Sequence, residues 1–179
     1  VINNIDEEAQ KKTQALQTLF MSCDDGNSHE GKDEKILSIQ NWLCQHPYEV
    51  INSIRKIQLT KYDIGIVSVI EHIGSPTADK CARQLLELLV DLNHPVYKPA
   101  LSAVFTLNEE PIIKAIEDLI YDECFREVDA FCWHVIQARP DWLQKMKPYL
   151  ADAIERTTYY ANESNMVNLL NELESDQQG

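Results

Sequence analysis

An apolar pattern that recurs every 31 residues constrains this chain more than any other feature. Ile54, Ile57, Ile66, Val69, Ile70 and Ile73 form a first copy. Leu85, Leu88, Tyr97, Ala100, Leu101 and Val104 form the second, and Ile116, Leu119, Val128, Phe131, Cys132 and Val135 the third. Each copy reads as the end of one helix, a short turn, and the start of the next. A fixed period of this length predicts stacked helical hairpins, each burying its apolar face on its neighbours. Such a scaffold presents a surface, and the pattern itself names no chemistry.

The helices can be placed one by one. A first helix is expected from about Asp6 to Ser22, with Ala9, Leu16, Leu19 and Phe20 on one side and acids at its positive N-terminal end. Residues 23–35, with Gly26 and Gly31, read as a polar loop. Lys35 to Gln45 turns Ile36, Leu37, Ile39, Trp42 and Leu43 inward, and Pro47 opens the next helix, where its missing N–H costs nothing. Pro76, Pro111 and Pro140 punctuate the chain in the same way. Ile64 to Ile70 is rich in β-branched residues, but its spacing is helical and no other segment offers a partner strand, so it is read as a helix. Further helices are expected over Pro76–Leu92, Val96–Leu107, Pro111–Tyr121 and Arg126–Ala138. Asp141–Met146 reads as a short turn, with Pro148 restarting the helix. Trp42, Trp133 and Trp142 are assigned to the core, with Trp142 the one placed nearest a surface. The chain is thus read as one all-helical domain over 1–179. It comprises an N-terminal capping helix (6–22), the loop (23–35), helical repeats (36–161) and a C-terminal capping helix (164–173).

Composition narrows the partners. Sixteen Lys and Arg stand against 29 Asp and Glu, a formal net charge of −13. Such a chain is repelled by phosphate backbones and anionic lipid and attracted to basic proteins, while excess acid also aids solubility. Neither a nucleic-acid nor a membrane partner is expected. The five cysteines are odd in number and irregular in spacing, and Cys44, Cys81 and Cys132 fall inside apolar helical patterns. Buried free thiols in a reducing compartment explain them, which points to the cytoplasm. No signal peptide is visible, although the chain starts at Val1 and a removed segment is compatible with that.

The stretch Leu85-Leu86-Glu87-Leu88-Leu89-Val90-Asp91, leading into Val96-Tyr97-Lys98-Pro99-Ala100-Leu101, resembles HEAT-type repeats. In that family an acidic residue closes one repeat's second helix and an apolar–basic pair opens the next repeat. Asp91, Tyr97 and Lys98 match; in the following copy Asp122 and Val128 match, but Asp129 stands where a basic residue is expected. The resemblance covers about residues 43–150. It implies a short right-handed α-solenoid whose second helices line a concave, protein-binding face. It does not imply catalysis.

Signatures of chemistry are missing. The sequence holds no His-Glu-x-x-His, Glu-x-x-His or Cys-x-x-Cys, and no phosphate-binding glycine loop. No catalytic, cofactor-binding or metal-ligating residue is assigned. The acids are more informative. Glu109, Glu110, Glu117, Asp118, Asp122, Glu123, Glu127 and Asp129 crowd one region, opposed by Lys114 and Arg126. Glu117 and Tyr121 share a helix face at i and i+4, and tyrosine ringed by acid suits recognition of a basic protein surface. The expected partner-binding residues are therefore Glu117, Asp118, Tyr121, Asp122 and Glu123, with Asp152, Glu155 and Tyr159 as a second patch. The expected function is non-enzymatic binding of a basic protein, such as an immunity-type inhibitor neutralising a basic toxin. A generic adaptor or a lyase-like helical-repeat enzyme are the alternatives.

Overall fold

Apolar residues three and four apart coil the chain into helices throughout. The computed structural model describes residues 2–21, 32–136, 138–156 and 165–176. Among them there is no strand, and no helix is long and apolar enough to cross a membrane. The helices are α1 (Ile2–Met21), α2 (Lys32–Cys44), α3 (Pro47–Ile54), α4 (Ile64–Ile73), α5 (Ala82–Glu87), α6 (Tyr97–Val104), α7 (Glu109–Tyr121), α8 (Phe125–Phe131), α9 (Leu143–Arg156) and α10 (Asn165–Asp176). Of the loop expected at 23–35, residues 23–31 lie outside the described residues, and α2 has already begun at Lys32.

The chain divides into two compact units, Val1–Asn108 and Glu109–Gly179. In the first, α1 packs on α2, α3 and α4, α2 on α4, and α4 on α6, while α5 lies against α6. In the second, α7 packs on α8 and α9, and α10 on α8 and α9. The 31-residue pattern marks the core of both. Ile57, Ile73 and Leu101 are half-buried, and every other position in the three copies is buried. Burying a Leu, Ile or Val side chain contributes ~1.5–3 kcal/mol, so these positions dominate the packing energy.

Polar ties fix neighbouring helices in register. The Ser102 hydroxyl of α6 donates to the Glu71 carboxylate of α4, 31 residues earlier. The Gln84 amide of α5 donates to the Ile54 and Ile57 carbonyls at the end of α3, at 3.1 and 2.7 Å. Asp79 accepts from the Asn108 backbone and side-chain amides at 3.1 and 2.9 Å.

The β-branched segment is helical, as its spacing requires. Ile66, Val67, Val69 and Ile70 are all buried, and that burial outweighs their modest helix propensity. Gly74 ends α4 at φ +59°, a conformation that favours glycine.

Five expectations are corrected. The continuous helix over Pro76–Leu92 is instead a 3₁₀ turn (Ala78–Cys81), α5, and a second 3₁₀ turn (Leu88–Val90). Leu85 and Leu86 of α5 and Leu88 and Leu89 of the second turn are all buried. Pro148 does not restart a helix but lies inside α9. It and Gln144, whose carbonyl loses a partner, are both exposed, so water can replace the bond. Leu37 points outward at 58% exposure, rotated off the Ile39–Leu43 face. Trp142, placed nearest a surface, is the buried tryptophan at 1% exposure, capped by the Arg139 guanidinium 4.3 Å from its ring. Trp133 is exposed instead, at 48%.

Candidate functional site

The acids of the chain are unevenly shared. The first unit carries 10 Lys and Arg against 14 Asp and Glu, a net of −4; the second carries 6 against 15, a net of −9. The expected site lies in the second. Ile112, Ala115, Ile116, Leu119 and Ile120 bury one side of α7, and this turns Lys114, Glu117 and Tyr121 outward. Tyr121 is 78% exposed, the most exposed of the large apolar residues described.

The end of α7 is closed by the backbone. The Cys124 N–H bonds the Leu119 carbonyl at 2.8 Å, and the Glu123 N–H bonds that of Ile120 at 3.1 Å. This is the Schellman arrangement, and it puts Glu123 at φ +59°, where glycine is the favoured residue. The turn leaves the Glu123 side chain 74% exposed.

A cation missed by sequence reasoning joins the two expected patches. Arg156, at the end of α9, donates to the Tyr121 carbonyl at 3.4 Å and lies 3.6 Å from Asp152 and 4.0 Å from Glu123. Its i,i+4 spacing from Asp152 is legible in the sequence; its reach to α7 is not. Lys114 pairs with Glu117 at 3.0 Å and Asp118 at 3.1 Å. Those two bonds raise the Lys114 pKa. Glu117, Asp118, Glu123 and Asp152 thus each have a cation nearby, but pairs this exposed contribute little and do not remove the negative field. Asp122 and Glu155 are exposed on the same two segments, and Tyr159 lies outside the described residues.

Other members of the acidic run have structural partners. Asp129 accepts from the Asn165 backbone N–H at 2.7 Å and from its side-chain amide at 2.8 Å, satisfying the first turn of α10. That gives a structural reason for a carboxylate at position 129. Glu109 is taken up by Lys145 at 2.8 Å. The remaining site residues lie on α7, its C-terminal turn and α9. None of these described residues lies on α8 or α10.

Among the described residues no group of three or more His, Cys, Asp or Glu is arranged to hold a metal ion. Burial raises the thiol pKa of Cys44, pushes that of Cys81 up to about 12, and raises that of Cys132 well above the ordinary range. Such thiols stay protonated and serve as packing groups rather than nucleophiles. Burial also lowers the His134 pKa, favouring the neutral imidazole.

Comparison with known proteins gave no match: no protein-family model, no curated sequence and no solved structure matches the chain.

Proposed function

We propose that this chain is a protein-binding module without catalytic activity, whose acidic surface on α7 and α9 docks a basic protein. The observation that carries this reading is Tyr121, a 78% exposed aromatic set among Glu117, Asp118, Asp122, Glu123, Asp152 and Glu155. An aromatic anchor supplies contact area, and the surrounding charge steers an oppositely charged partner and speeds its capture. The concrete form of the reading is an immunity-type inhibitor that covers a basic toxin. The scaffold is a short HEAT-like α-solenoid of stacked helix pairs. Its support is the packing of alternate helices, α1 on α3, α2 on α4 and α4 on α6 in one unit, and α7 on α9 and α8 on α10 in the other. Cys44, Cys81, Cys124 and Cys132 form no disulfide, which suits a reducing compartment such as the cytoplasm.

Affinity capture from native cells, followed by mass spectrometry, tests the reading. The wild-type chain is expected to retain basic proteins that the Glu117→Lys, Tyr121→Ala, Glu123→Lys variant does not. Recovery of acidic partners alone, or of the same proteins by both baits, refutes it.

A further inference from the structure

The first unit carries a surface of opposite sign. On α3, Val50, Ile51, Ser53 and Ile54 are buried. Tyr48, Asn52, Arg55 and Lys56 follow one another at i, i+4, i+7 and i+8 and form one exposed outer face. Tyr48 is 62% exposed, and the Lys80 ammonium sits 5.8 Å from its ring. Burial raises the Cys81 thiol pKa, and the nearby charges of Arg55 and Lys80 both act against that rise. Arg55, Lys56 and Lys80 form no ion pair among the described residues, whereas Lys12, Arg83, Lys114, Arg139, Lys145 and Arg156 each have one. Cations at the end of α3 complement its dipole, but that accounts for neither Lys80 nor the exposed tyrosine. Beside the stripe is an open concavity of about 460 Å³ lined by Asp6, Asn52, Arg55 and Lys56.

We infer that this α3 surface receives the acidic α7–α9 surface of a second copy of the chain. The two surfaces are complementary: each has a strongly exposed tyrosine, one among Arg55, Lys56 and Lys80, the other among Glu117, Asp118 and Glu123. The contact pairs two different surfaces of the chain rather than one surface with itself. At physiological ionic strength the general repulsion between copies is screened beyond ~8 Å, while contacts at the surface are screened less.

Sedimentation velocity of the full chain at physiological ionic strength, over a wide concentration range, tests the inference. The weight-average mass is expected to climb above 20.6 kDa with concentration. The Arg55→Glu, Lys56→Glu variant is expected to weaken association more than ~10-fold. The neutral Arg55→Gln, Lys56→Gln variant, which places no carboxylate at the helix C-terminus, should weaken it less. Glu117→Lys, Glu123→Lys should also dissociate, and mixing it with Arg55→Glu, Lys56→Glu should restore association. Lys35→Glu, Lys98→Glu makes the same change in net charge elsewhere and should leave association intact. A mass that stays at 20.6 kDa throughout, or equal weakening by the Lys35 and Lys98 control, overturns the inference. The α3 variants leave α7 and α9 unchanged, so they should still capture basic proteins. Failure of self-association is thereby separated from failure of the proposed function.

Discussion

Glu123 occupies a backbone position where its side chain is a burden to folding. At φ +59° a residue with a Cβ costs ~1–2 kcal/mol relative to the right-handed region, a penalty glycine escapes. Glu123→Gly is therefore expected to stabilise the chain by ~1 kcal/mol in urea unfolding while weakening capture of basic proteins. Unchanged capture would remove Glu123 from the site. Cys81 makes a second residue-level prediction. Burial raises its pKa from 9.0 to about 12, outweighing Arg55 and Lys80, which lower it. Below pH 9 the folded and unfolded chains both hold the proton. Between pH 9 and about 12 the unfolded chain releases it and the folded chain does not, so stability falls as pH rises. The loss approaches ~4 kcal/mol at the top of that window, at ~1.36 kcal/mol per unit. Cys81→Ala should flatten the decline measured by urea midpoints above pH 9. Buried Cys132 acts in the same direction and leaves a residual slope.

At the scale of elements, α10 depends on a residue 36 positions away. Its first-turn N–H of Asn165 is satisfied by Asp129, which follows α8's buried Val128. Asp129→Ala should cost ~1 kcal/mol and speed hydrogen exchange of the Asn165 and Met166 amides, with Asp129→Asn retaining part of the protection. Unchanged protection would rule out the capping role. This tie also shows what a linear reading can and cannot supply. Periodicity placed the core because burial follows a helix's own geometry: Ile54, Leu85 and Ile116 are buried as their spacing requires. The existence of α4 was legible for the same reason. Asp129, set in an acidic run, gave no local sign of its partner, nor did Arg156 of its reach to Tyr121, since both contacts close only when separate helices pack. The inward Trp142 depends on the 3₁₀ turn Pro140–Trp142 and on Arg139, geometry that a 3.6-residue period does not encode. The Glu117–Tyr121 face was legible, because i,i+4 spacing alone sets it.

For the whole molecule, the unequal division of charge, −4 against −9, should divide its response to salt. Like charges repel over a Debye length of ~30 Å at 0.01 M salt but only ~8 Å at 0.15 M. Folding brings charges together, so screening should stabilise the Glu109–Gly179 unit more than the Val1–Asn108 unit. Relief of ~1 kcal/mol raises the midpoint of a domain of 60–100 residues by ~4–8 °C. Tryptophan reports the units separately: Trp42 lies in the first, Trp133 and Trp142 in the second. Trp42→Phe leaves fluorescence to the second unit, and Trp133→Phe, Trp142→Phe leaves it to the first. Trp42 stacks on His46 with centroids 4.0 Å apart, a contact phenylalanine can keep; Trp142 is buried, so its replacement lowers the baseline midpoint, and only the salt-induced change is compared. Melting each variant in low and physiological salt should show the larger gain in Trp42→Phe. Equal gains would mean that the acids of the second unit are already balanced by Lys114, Arg156 and their neighbours. The negative field that the proposed function needs would then be too weak to steer a basic partner.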